Sequence, residues 1–323
     1  MNYNIPDDLY QHLKAAKQLA SNRLLRPNFF ANVTGVGIGQ KVVDGVPTET
    51  WAIRVYVQSK LDVEDVTPAY MLPTSFLDVP TDIIEVGRFG RAGLVPNGLK
   101  PPKTIGPGTP IRIESRASNV NSGAVGTLGA LVVDASDNTI YILSCNHILA
   151  VNGRVKTDPE AHIVTADGAP IAVPGPFHEL TRHGANQVDC ALAVSKIDQR
   201  VQTTDKPIPP ALGMTVTKTG AATGTTNGVI VDIDADLYVD YSFGTFRFIN
   251  QVVIDGQSAG NPDDIFATDG DSGSIVFTET EPNRLQALAM VFAEAGRFAV
   301  ACPLIQVFSQ LEKEKGSLSL VVE

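Results

Sequence analysis

The stretch that decides the fold reads Thr268-Asp269-Gly270-Asp271-Ser272-Gly273-Ser274, and the apolar run Ile275-Val276-Phe277 follows it directly. Glycines on either side of Ser272 predict a tight turn, because glycine adopts positive φ without steric cost. The apolar run predicts a strand leading away from that turn. Such a turn can hold a serine nucleophile and aim backbone N–H groups at one point, as an oxyanion hole requires. Gly/Asp/Ser clusters also form plain turns, so the rest of the chain decides between the two interpretations.

The overall composition is that of a globular protein. The chain has 323 residues, of which 43% are hydrophobic and 19% charged, enough for roughly two domains with a real core. The 28 glycines and 21 prolines favour a β-rich fold with many turns. The net charge of −10 gives no electrostatic footprint for nucleic acid or for an anionic membrane, so we expect neither as a partner.

The cysteines and the N-terminal residues indicate the compartment. The three cysteines, Cys145, Cys190 and Cys302, are too few and odd in number for a disulfide framework. We interpret Cys145 and Cys190 as small buried hydrophobic side chains. The first residues lack the basic and apolar pattern of a secretory leader, and no apolar run reaches the roughly 18 residues that span a membrane. We therefore expect a cytoplasmic protein.

Residues 1–91 predict a small α/β N-terminal domain without evident chemistry. A helix is predicted from Asp7 or Asp8, either of which can cap it, and ends before Pro27. The glycines of the first predicted strand do not match the dinucleotide fingerprint, Gly-x-Gly-x-x-Gly at the start of a helix, so no nucleotide cofactor is expected. The predicted strands lie at 33–41, 51–57 and 82–86.

Residues 92–110 have the composition of a proline-stiffened linker, and residues 111–323 predict a second domain. Short strands separated by turns, with no helices between them, favour a barrel or a sandwich. Only 304–311, near the C-terminus, has helical spacing. The predicted strands lie at 125–133, 139–144, 187–194, 214–218, 228–231, 246–248, 251–254 and 288–292.

A row of acidic residues in this domain superficially resembles a calcium-binding loop. Leu237 stands where such a loop needs glycine, and the terminal glutamate is absent. Alternation with apolar residues predicts instead that the acidic side chains line the solvent face of a strand. The row consists of Asp232, Asp234, Asp236 and Asp240.

Three residues in the second domain have the local context of a catalytic triad. His147 follows an apolar strand and begins a turn, where an imidazole can face a cleft. Asp189 lies among apolar neighbours, and a buried carboxylate needs a partner such as a histidine N–H. Ser272 lies on its glycine turn. The order His-Asp-Ser differs from those of subtilisin-like and α/β-hydrolase-like enzymes.

Three motifs surround these residues: Leu143-Ser144-Cys145-Asn146-His147, Val188-Asp189-Cys190-Ala191-Leu192 and Gly270-Asp271-Ser272-Gly273-Ser274. They carry a resemblance to trypsin-like, chymotrypsin-fold serine peptidases over residues 120–310. More narrowly, the chain is similar to bacterial relatives of the plant narrow-leaf type trypsin-like proteins. The segment Val216-Thr217-Lys218-Thr219-Gly220-Ala221-Ala222-Thr223-Gly224-Thr225 is a weaker match to that group. The resemblance implies a mainly β fold, a chymotrypsin-like double β-barrel preceded by the small α/β domain.

The resemblance also implies the roles of individual residues. Ser272 attacks a peptide carbonyl, His147 transfers the proton and Asp189 orients the imidazole, while the backbone N–H groups of Gly270 and Ser272 hold the oxyanion. No metal or cofactor is implied. The strand at 288–293 is expected to bind substrate backbone, and the pocket base falls near Phe266, which suggests a small or apolar preference. The implied substrate-binding residues are Phe266, Val291, Phe292 and Ala293.

The sequence departs from the digestive members of this family at two places. Ile148 stands where those members have a disulfide-bonded cysteine after the histidine. No activation site is evident, so Asp271 needs a partner other than a newly formed N-terminal amine. A serine endopeptidase acting on a protein or peptide is therefore the leading hypothesis, active as it stands or latent until a partner, self-association or the N-terminal domain activates it. The alternative is a catalytically silent binding or scaffold protein that keeps the fold.

Overall fold

The computed structural model describes residues 5–26, 30–90, 104–116, 124–197, 202–203, 206–256, 264–313 and 315–322. In this part of the chain the helices are α1 (Asp7–Leu24), α2 (Asn146–Leu149) and α3 (Leu304–Leu311), with 3-10 turns at Val63–Asp65 and Pro68–Tyr70. The strands are β1 (Val33–Val43), β2 (Val46–Val57), β3 (Ser75–Phe76), β4 (Val79–Glu85), β5 (Pro110–Glu114), β6 (Val125–Thr127), β7 (Ala130–Asp134), β8 (Ile140–Ser144), β9 (His162–Thr165), β10 (Pro170–Phe177), β11 (Ala185–Asn186), β12 (Ala191–Ser195), β13 (Gln202–Thr203), β14 (Thr215–Gly220), β15 (Gly224–Tyr241), β16 (Gly244–Asp255), β17 (Ile275–Glu281), β18 (Arg284–Ala295), β19 (Phe298–Pro303) and β20 (Leu318–Val322).

The first barrel is built from the strands β5 to β12 except β11, which pairs with β16 in the other sheet. Its sheet runs in the order β7-β8-β12-β10-β9-β5-β6, and neighbouring strands in it are antiparallel. β6 and β7 are consecutive in the chain and bend at Leu128-Gly129, so one pairs with β5 and the other with β8. This bend joins the two ends of the sheet and closes the barrel around apolar side chains.

The second barrel is built from β14 to β19. β14 pairs with β15 and β17, β15 with β16, β16 with β19, and β19 with β18, which returns to β17. These antiparallel pairings form a closed ring. With the first barrel they make a chymotrypsin-like double β-barrel, which confirms the fold class predicted from the sequence.

The N-terminal elements extend the sheet of the second barrel. β1 pairs with the long β15 at Gly35 and Val36, then with β2, which runs parallel to β4. The buried face of α1 lies on β1 and β2 and presents Leu13, Ala16, Ala20 and Leu24. The predicted cap was wrong, because Pro6 occupies the N-cap and makes no side-chain hydrogen bond. Asp7 and Asp8 lie in the first turn, where their negative charges interact favourably with the positive end of the helix dipole.

The predicted exposure of the acidic row was also wrong for Asp232, Asp234 and Asp236, which are buried, whereas the Asp240 side chain is 38% exposed. The alternation does form a strand, β15, but β1 and α1 cover the face that the sequence left open. Lys17 of α1 forms ion pairs with Asp234 and Asp236. Asp232 accepts hydrogen bonds from the Tyr56 hydroxyl at 2.8 Å and from the backbone N–H of Asp234 at 3.0 Å. Burial outweighs these bonds and raises the pKa of Asp232 to about 6.

Two strand predictions differ from the structure. The region 187–194 was predicted as one strand, but β12 begins only at Ala191, because the N–H of Asp189 bonds to Cys302 Sγ and its carboxylate to His147. The segments at 246–248 and 251–254 are parts of one strand, β16. All three cysteines are buried and none forms a disulfide within the described part of the chain, which confirms the interpretation of Cys145 and Cys190.

The domain boundary stays a prediction, because most of the linker at 92–110 falls outside the described residues. Among the described residues, no helix has both the length and the apolar character that crossing a bilayer takes.

Candidate active site

A histidine, a carboxylate and a tyrosine form a buried hydrogen-bonded unit between the two barrels. Helix α2 follows β8 directly and carries His147, whose Nδ1 lies 2.6 Å from Asp189 Oδ2. The backbone N–H of His147 also bonds to Asp189 Oδ1, at 3.2 Å. Tyr241, at the tip of the β15–β16 hairpin, donates its hydroxyl to Asp189 Oδ2 at 2.8 Å. Its ring packs 5.3 Å from the imidazole, so Tyr241 fixes the acid and the histidine together.

The electrostatics of this unit set the tautomer of the histidine. Burial raises the pKa of Asp189, but the neighbouring His147 and the hydrogen bonds from His147 and Tyr241 outweigh it and hold that pKa below its usual value. Burial, followed by the charge of Asp189, raises the pKa of Tyr241 well above its usual value, so its hydroxyl remains a donor. Because the carboxylate can only accept, Nδ1 carries the imidazole proton.

The other ring nitrogen of His147 is available for proton transfer. Nε2 is buried and has no hydrogen-bond partner among the described residues. With the proton on Nδ1, Nε2 presents a lone pair. A buried acceptor without a partner costs folding free energy, and this cost points to a functional role for the atom. It is the atom through which a histidine acts as a general base.

Ser272 lies beside this unit but does not form a hydrogen bond with it. Its hydroxyl donates to Phe292 O at 3.5 Å, the outer limit of a hydrogen bond, and the residue is 9% exposed. The turn of Ser272 and the segment just before His147 meet at one carbonyl oxygen, because Val291 O accepts from Gly273 N at 2.7 Å and from Cys145 Sγ at 3.3 Å. Catalytic hydrogen bonds are often long or poorly aligned in unliganded sites, so this geometry is compatible with a nucleophile.

The glycine turn around Ser272 is held from the first barrel by Thr127. Thr127 donates its hydroxyl to Gly270 O and its backbone N–H to Ser272 O, both at 2.8 Å. Gly270 has φ +95° and Gly273 φ +100°, and a Cβ at Gly273 would lie 2.1 Å from Ser144 Oγ. Both positions therefore need glycine. With their carbonyls engaged, Gly270 and Ser272 have backbone N–H groups that meet no acceptor in the described part of the chain.

Asp271 finds the partner that the sequence left open in Lys218. Lys218 Nζ lies 3.1 Å from Asp271 Oδ2, and both side chains are completely buried. The carboxylate also accepts from the backbone N–H groups of Ala222, Thr223 and Thr268 and from the Thr223 hydroxyl. The ammonium in turn donates to Thr223 Oγ1 and, at 3.1 Å, to Gly224 O. This fully paired network holds the turn without a newly formed N-terminus.

Cys145, His147 and Asp189 also bring three potential metal-binding atoms within 4.8 Å of one another. Their chemistry does not fit a metal ion. Burial raises the pKa of Cys145 well above its usual value, and its Sγ donates to a carbonyl, whereas a metal needs the thiolate. Asp189 already bonds to two side chains.

The four predicted substrate-binding side chains are divided between two apolar clusters. Phe266 and Val291 belong to one, and Phe292 and Ala293 belong to the large cluster that also contains the core of the first barrel. Val291, Phe292 and Ala293 belong to β18, and Phe266 packs below the turn, 5.8 Å from Lys218 Nζ. All four are buried. β18 can therefore contact a substrate through its backbone rather than through these side chains, and the assignment of the four residues stays a prediction.

An acidic pair beside this strand was not anticipated from the sequence. Burial, followed by the charge of Asp269, raises the pKa of Glu294 to about 7. Asp269 immediately precedes Gly270, so negative charge lies close to the turn that carries Ser272.

The structure thus brings His147 and Asp189 into direct contact and places Ser272 nearby without a bond to the imidazole. Sequence reasoning missed Tyr241, Thr127 and Lys218. No local pattern marks Tyr241 or Thr127, because each acts on a residue far away in the chain. No local pattern marks the role of Lys218 either, because three of the six residues of its strand, β14, are threonines.

Comparison with known proteins gives structural neighbours only. No protein-family model and no curated protein matches the chain. Among solved structures, the chain is similar to a glutamic-acid-specific serine protease (17% identity, TM-score 0.43, covering 67% of this chain and 100% of the other). It is also similar to protease A of Thermobifida fusca (16%, 0.43, 68% and 99%) and to a chymotrypsin of Cellulomonas bogoriensis (15%, 0.41, 68% and 98%). These neighbours are bacterial serine proteases with the chymotrypsin fold, and the fold of the present chain rests on its own strand pairing.

Proposed function

We propose that this protein is a serine endopeptidase that works through Ser272, His147 and Asp189. The observation that carries the proposal is the buried His147–Asp189 pair with its free Nε2, next to a serine on a glycine turn.

The chemistry follows from the positions of the groups. Ser272 Oγ attacks the carbonyl carbon of a peptide bond while His147 Nε2 takes the hydroxyl proton, which it later gives to the leaving amine. A water molecule then hydrolyses the acyl-enzyme by the same proton transfers. Asp189, bonded to Tyr241, stabilises the imidazolium. The N–H groups of Gly270 and Ser272 stabilise the oxyanion, and one such donor is worth on the order of a hundred- to a thousandfold in rate.

Several finer features belong to this proposal. The small or apolar preference rests on the apolar residues around Phe266, and the cytoplasmic setting fits three buried cysteines that form no disulfide among the described residues. The relationship to the narrow-leaf type proteins rests on the sequence motifs alone. The expected partners are a protein or peptide substrate and an activating partner or a second copy of the chain.

The alternative is a binding or scaffold protein that keeps the peptidase fold. The observation in its favour is the missing hydrogen bond between Ser272 and His147. A scaffold has no need for an ordered turn with two glycines at positive φ and a buried Lys218–Asp271 pair, so we favour the enzyme.

Labelling with an alkyl fluorophosphonate separates the two functions. Wild-type protein should become labelled, and Ser272→Ala should lose labelling completely because the nucleophile is gone. Ser59→Ala is the control, because Ser59 is exposed and lies just after β2, outside both barrels. It should label like the wild type. Absence of labelling in folded wild-type protein, or equal labelling of Ser272→Ala, would rule out the enzyme.

A further inference from the structure

The edge of β18 next to Ser272 is already occupied by a segment of the same chain. β18 pairs with β17 as far as Met290, and Val291 then bonds to Gly273 and Ser274 of the turn. Beyond that point the edge is free for another strand. Gly90 lies there: its N–H bonds to Glu294 O at 3.1 Å, and its carbonyl accepts from Glu294 N at 3.3 Å. The two residues form an antiparallel bridge.

The register of this bridge relates Gly90 to the nucleophile. In an antiparallel ladder, the next pair that exchanges hydrogen bonds lies two residues further along each strand. Two residues before Glu294 is Phe292, whose carbonyl oxygen is the acceptor for Ser272 Oγ. A peptide bridged to Glu294 in this direction therefore brings its second following residue to Ser272. A substrate that adds to this edge as a strand would use the same N–H and C=O of Glu294 that Gly90 now uses.

The segment is anchored on its other side as well. Phe89 O accepts a hydrogen bond from Asp240 N at 3.0 Å, and Gly90 forms a parallel bridge with Asp240. The Phe89 side chain is 1% exposed and meets the Tyr56 ring edge-on at 5.8 Å. Gly90 does not have a left-handed φ, and a Cβ there would lie 3.3 Å from Asp240 O, a contact that a small shift relieves.

We infer that Phe89 and Gly90 act as an internal occupant of the substrate-binding edge and keep the peptidase latent towards extended peptides. The inference rests on the proposed function of Ser272. A substrate with several residues before the cleaved bond has to displace this segment, and its release costs the burial of Phe89 and two backbone hydrogen bonds to β18. A reagent that contacts only Ser272 and the oxyanion donors does not have to displace it.

Two independent variants release the segment, and each has a matched control. Phe89→Ala removes the buried anchor, and its control Phe76→Ala removes a buried phenylalanine from the core beside α1, away from β18. Gly90→Pro removes the N–H that bonds to Glu294 O, and its control Gly90→Ala keeps that N–H. Circular dichroism on each full-length variant reports whether it folds.

The assay compares a pooled library of fluorogenic tetrapeptides with an alkyl fluorophosphonate. We expect Phe89→Ala and Gly90→Pro to cleave the peptides about tenfold faster than wild type, corresponding to about 1.4 kcal/mol. The two controls should cleave the peptides at rates within about twofold of the wild-type rate. The rate of labelling by the fluorophosphonate should be equal in all five proteins.

The outcomes separate this inference from the proposed function. If no folded protein reacts with the fluorophosphonate, the proposed function is wrong and the inference is wrong with it. If all five react but the releasing variants cleave peptides no faster than wild type, the occupant does not inhibit and only the inference is wrong. An equal gain in Phe76→Ala would show general loosening rather than release of this segment and would also overturn it.

Discussion

Replacing Lys218 by methionine tests whether an internal ammonium holds the catalytic turn in place. Methionine keeps the length and apolar stem of the side chain but leaves the Asp271 carboxylate buried without its counter-charge, since both side chains are completely buried. Breaking a buried ion pair in this way costs about 3–5 kcal/mol. The four other hydrogen bonds to this carboxylate compensate part of the loss, so we expect a loss of about 3 kcal/mol in the free energy of unfolding, the lower end of that range.

The same substitution should lower the reactivity of Ser272 by more than its effect on stability explains. Asp271 lies between Gly270 and Ser272, whose N–H groups are the proposed oxyanion donors. A shift of the unpaired carboxylate moves both donors, and losing one donor costs on the order of a hundredfold in rate. We therefore expect fluorophosphonate labelling of folded Lys218→Met to slow by about a hundredfold.

Urea unfolding followed by circular dichroism measures the stability, and gel fluorescence after timed labelling measures the reactivity. Lys313→Met is the control, because Lys313 is exposed and, within the described part of the chain, bonds only to the Gln310 side chain. It should change stability by less than about 0.5 kcal/mol. A loss below about 1 kcal/mol in Lys218→Met, with labelling as fast as in the wild type, would refute the reasoning, because the buried pair would then not hold the turn.

Two further substitutions follow from the same contacts. Tyr241→Phe removes the hydrogen bond to Asp189 but keeps the ring packed on the imidazole. A hydrogen bond to a charged group is worth about 1.5–3 kcal/mol, so fluorophosphonate labelling of Ser272 should slow at least tenfold. An unchanged labelling rate would contradict the role of Tyr241. Asp232→Asn should stabilise the protein at pH 8 relative to pH 4. Folding raises the pKa of Asp232 to about 6, so the carboxylate opposes folding above that pH, by about 3 kcal/mol for a shift of roughly two units, and this penalty fades as pH falls towards 4. Urea titrations at both pH values measure it, and a pH-independent effect would disprove it.

Local sequence patterns were sufficient for a β-rich second domain, whereas the double barrel was expected from the motif resemblance. Short apolar runs between turn residues predicted many of the strands, but β5, β9, β10, β19 and β20 were not predicted. Closed rings let such strands bury one face without free edges. His147 and Asp189 could be singled out for a similar local reason. A histidine after a buried strand and an acid among apolar residues both need partners, and the structure places them 2.6 Å apart.

The exposure of β15 could not be read from its alternation. A period of two shows that the aspartates share one face, but not whether another element covers that face. Lys17 of α1 lies more than two hundred residues away in the chain, yet it pairs with Asp234 and Asp236. A stretch of alternating acids is solvated only if nothing basic packs on it, and that is a property of the tertiary structure.

The same limit explains why the control of the site was not visible. Sequence reasoning identified that Asp271 needed a new partner, but Lys218 lies 53 residues away and carries no motif. Gly90 is less visible still, because it acts through its backbone and its role depends entirely on the register against Glu294.

Together, the Lys218–Asp271 pair and the Gly90–Glu294 bridge distinguish two ways in which a serine peptidase can be silent. In one, the oxyanion turn is unformed and must rearrange, so the serine is unreactive towards every reagent. Here the turn is held by a complete buried network, and the imidazole is already oriented by Asp189 and Tyr241. Inhibition would therefore lie in access to the β18 edge and not in the catalytic groups. Activation then requires only that a competing strand replace Phe89 and Gly90, a step that a long substrate or a partner peptide can itself provide.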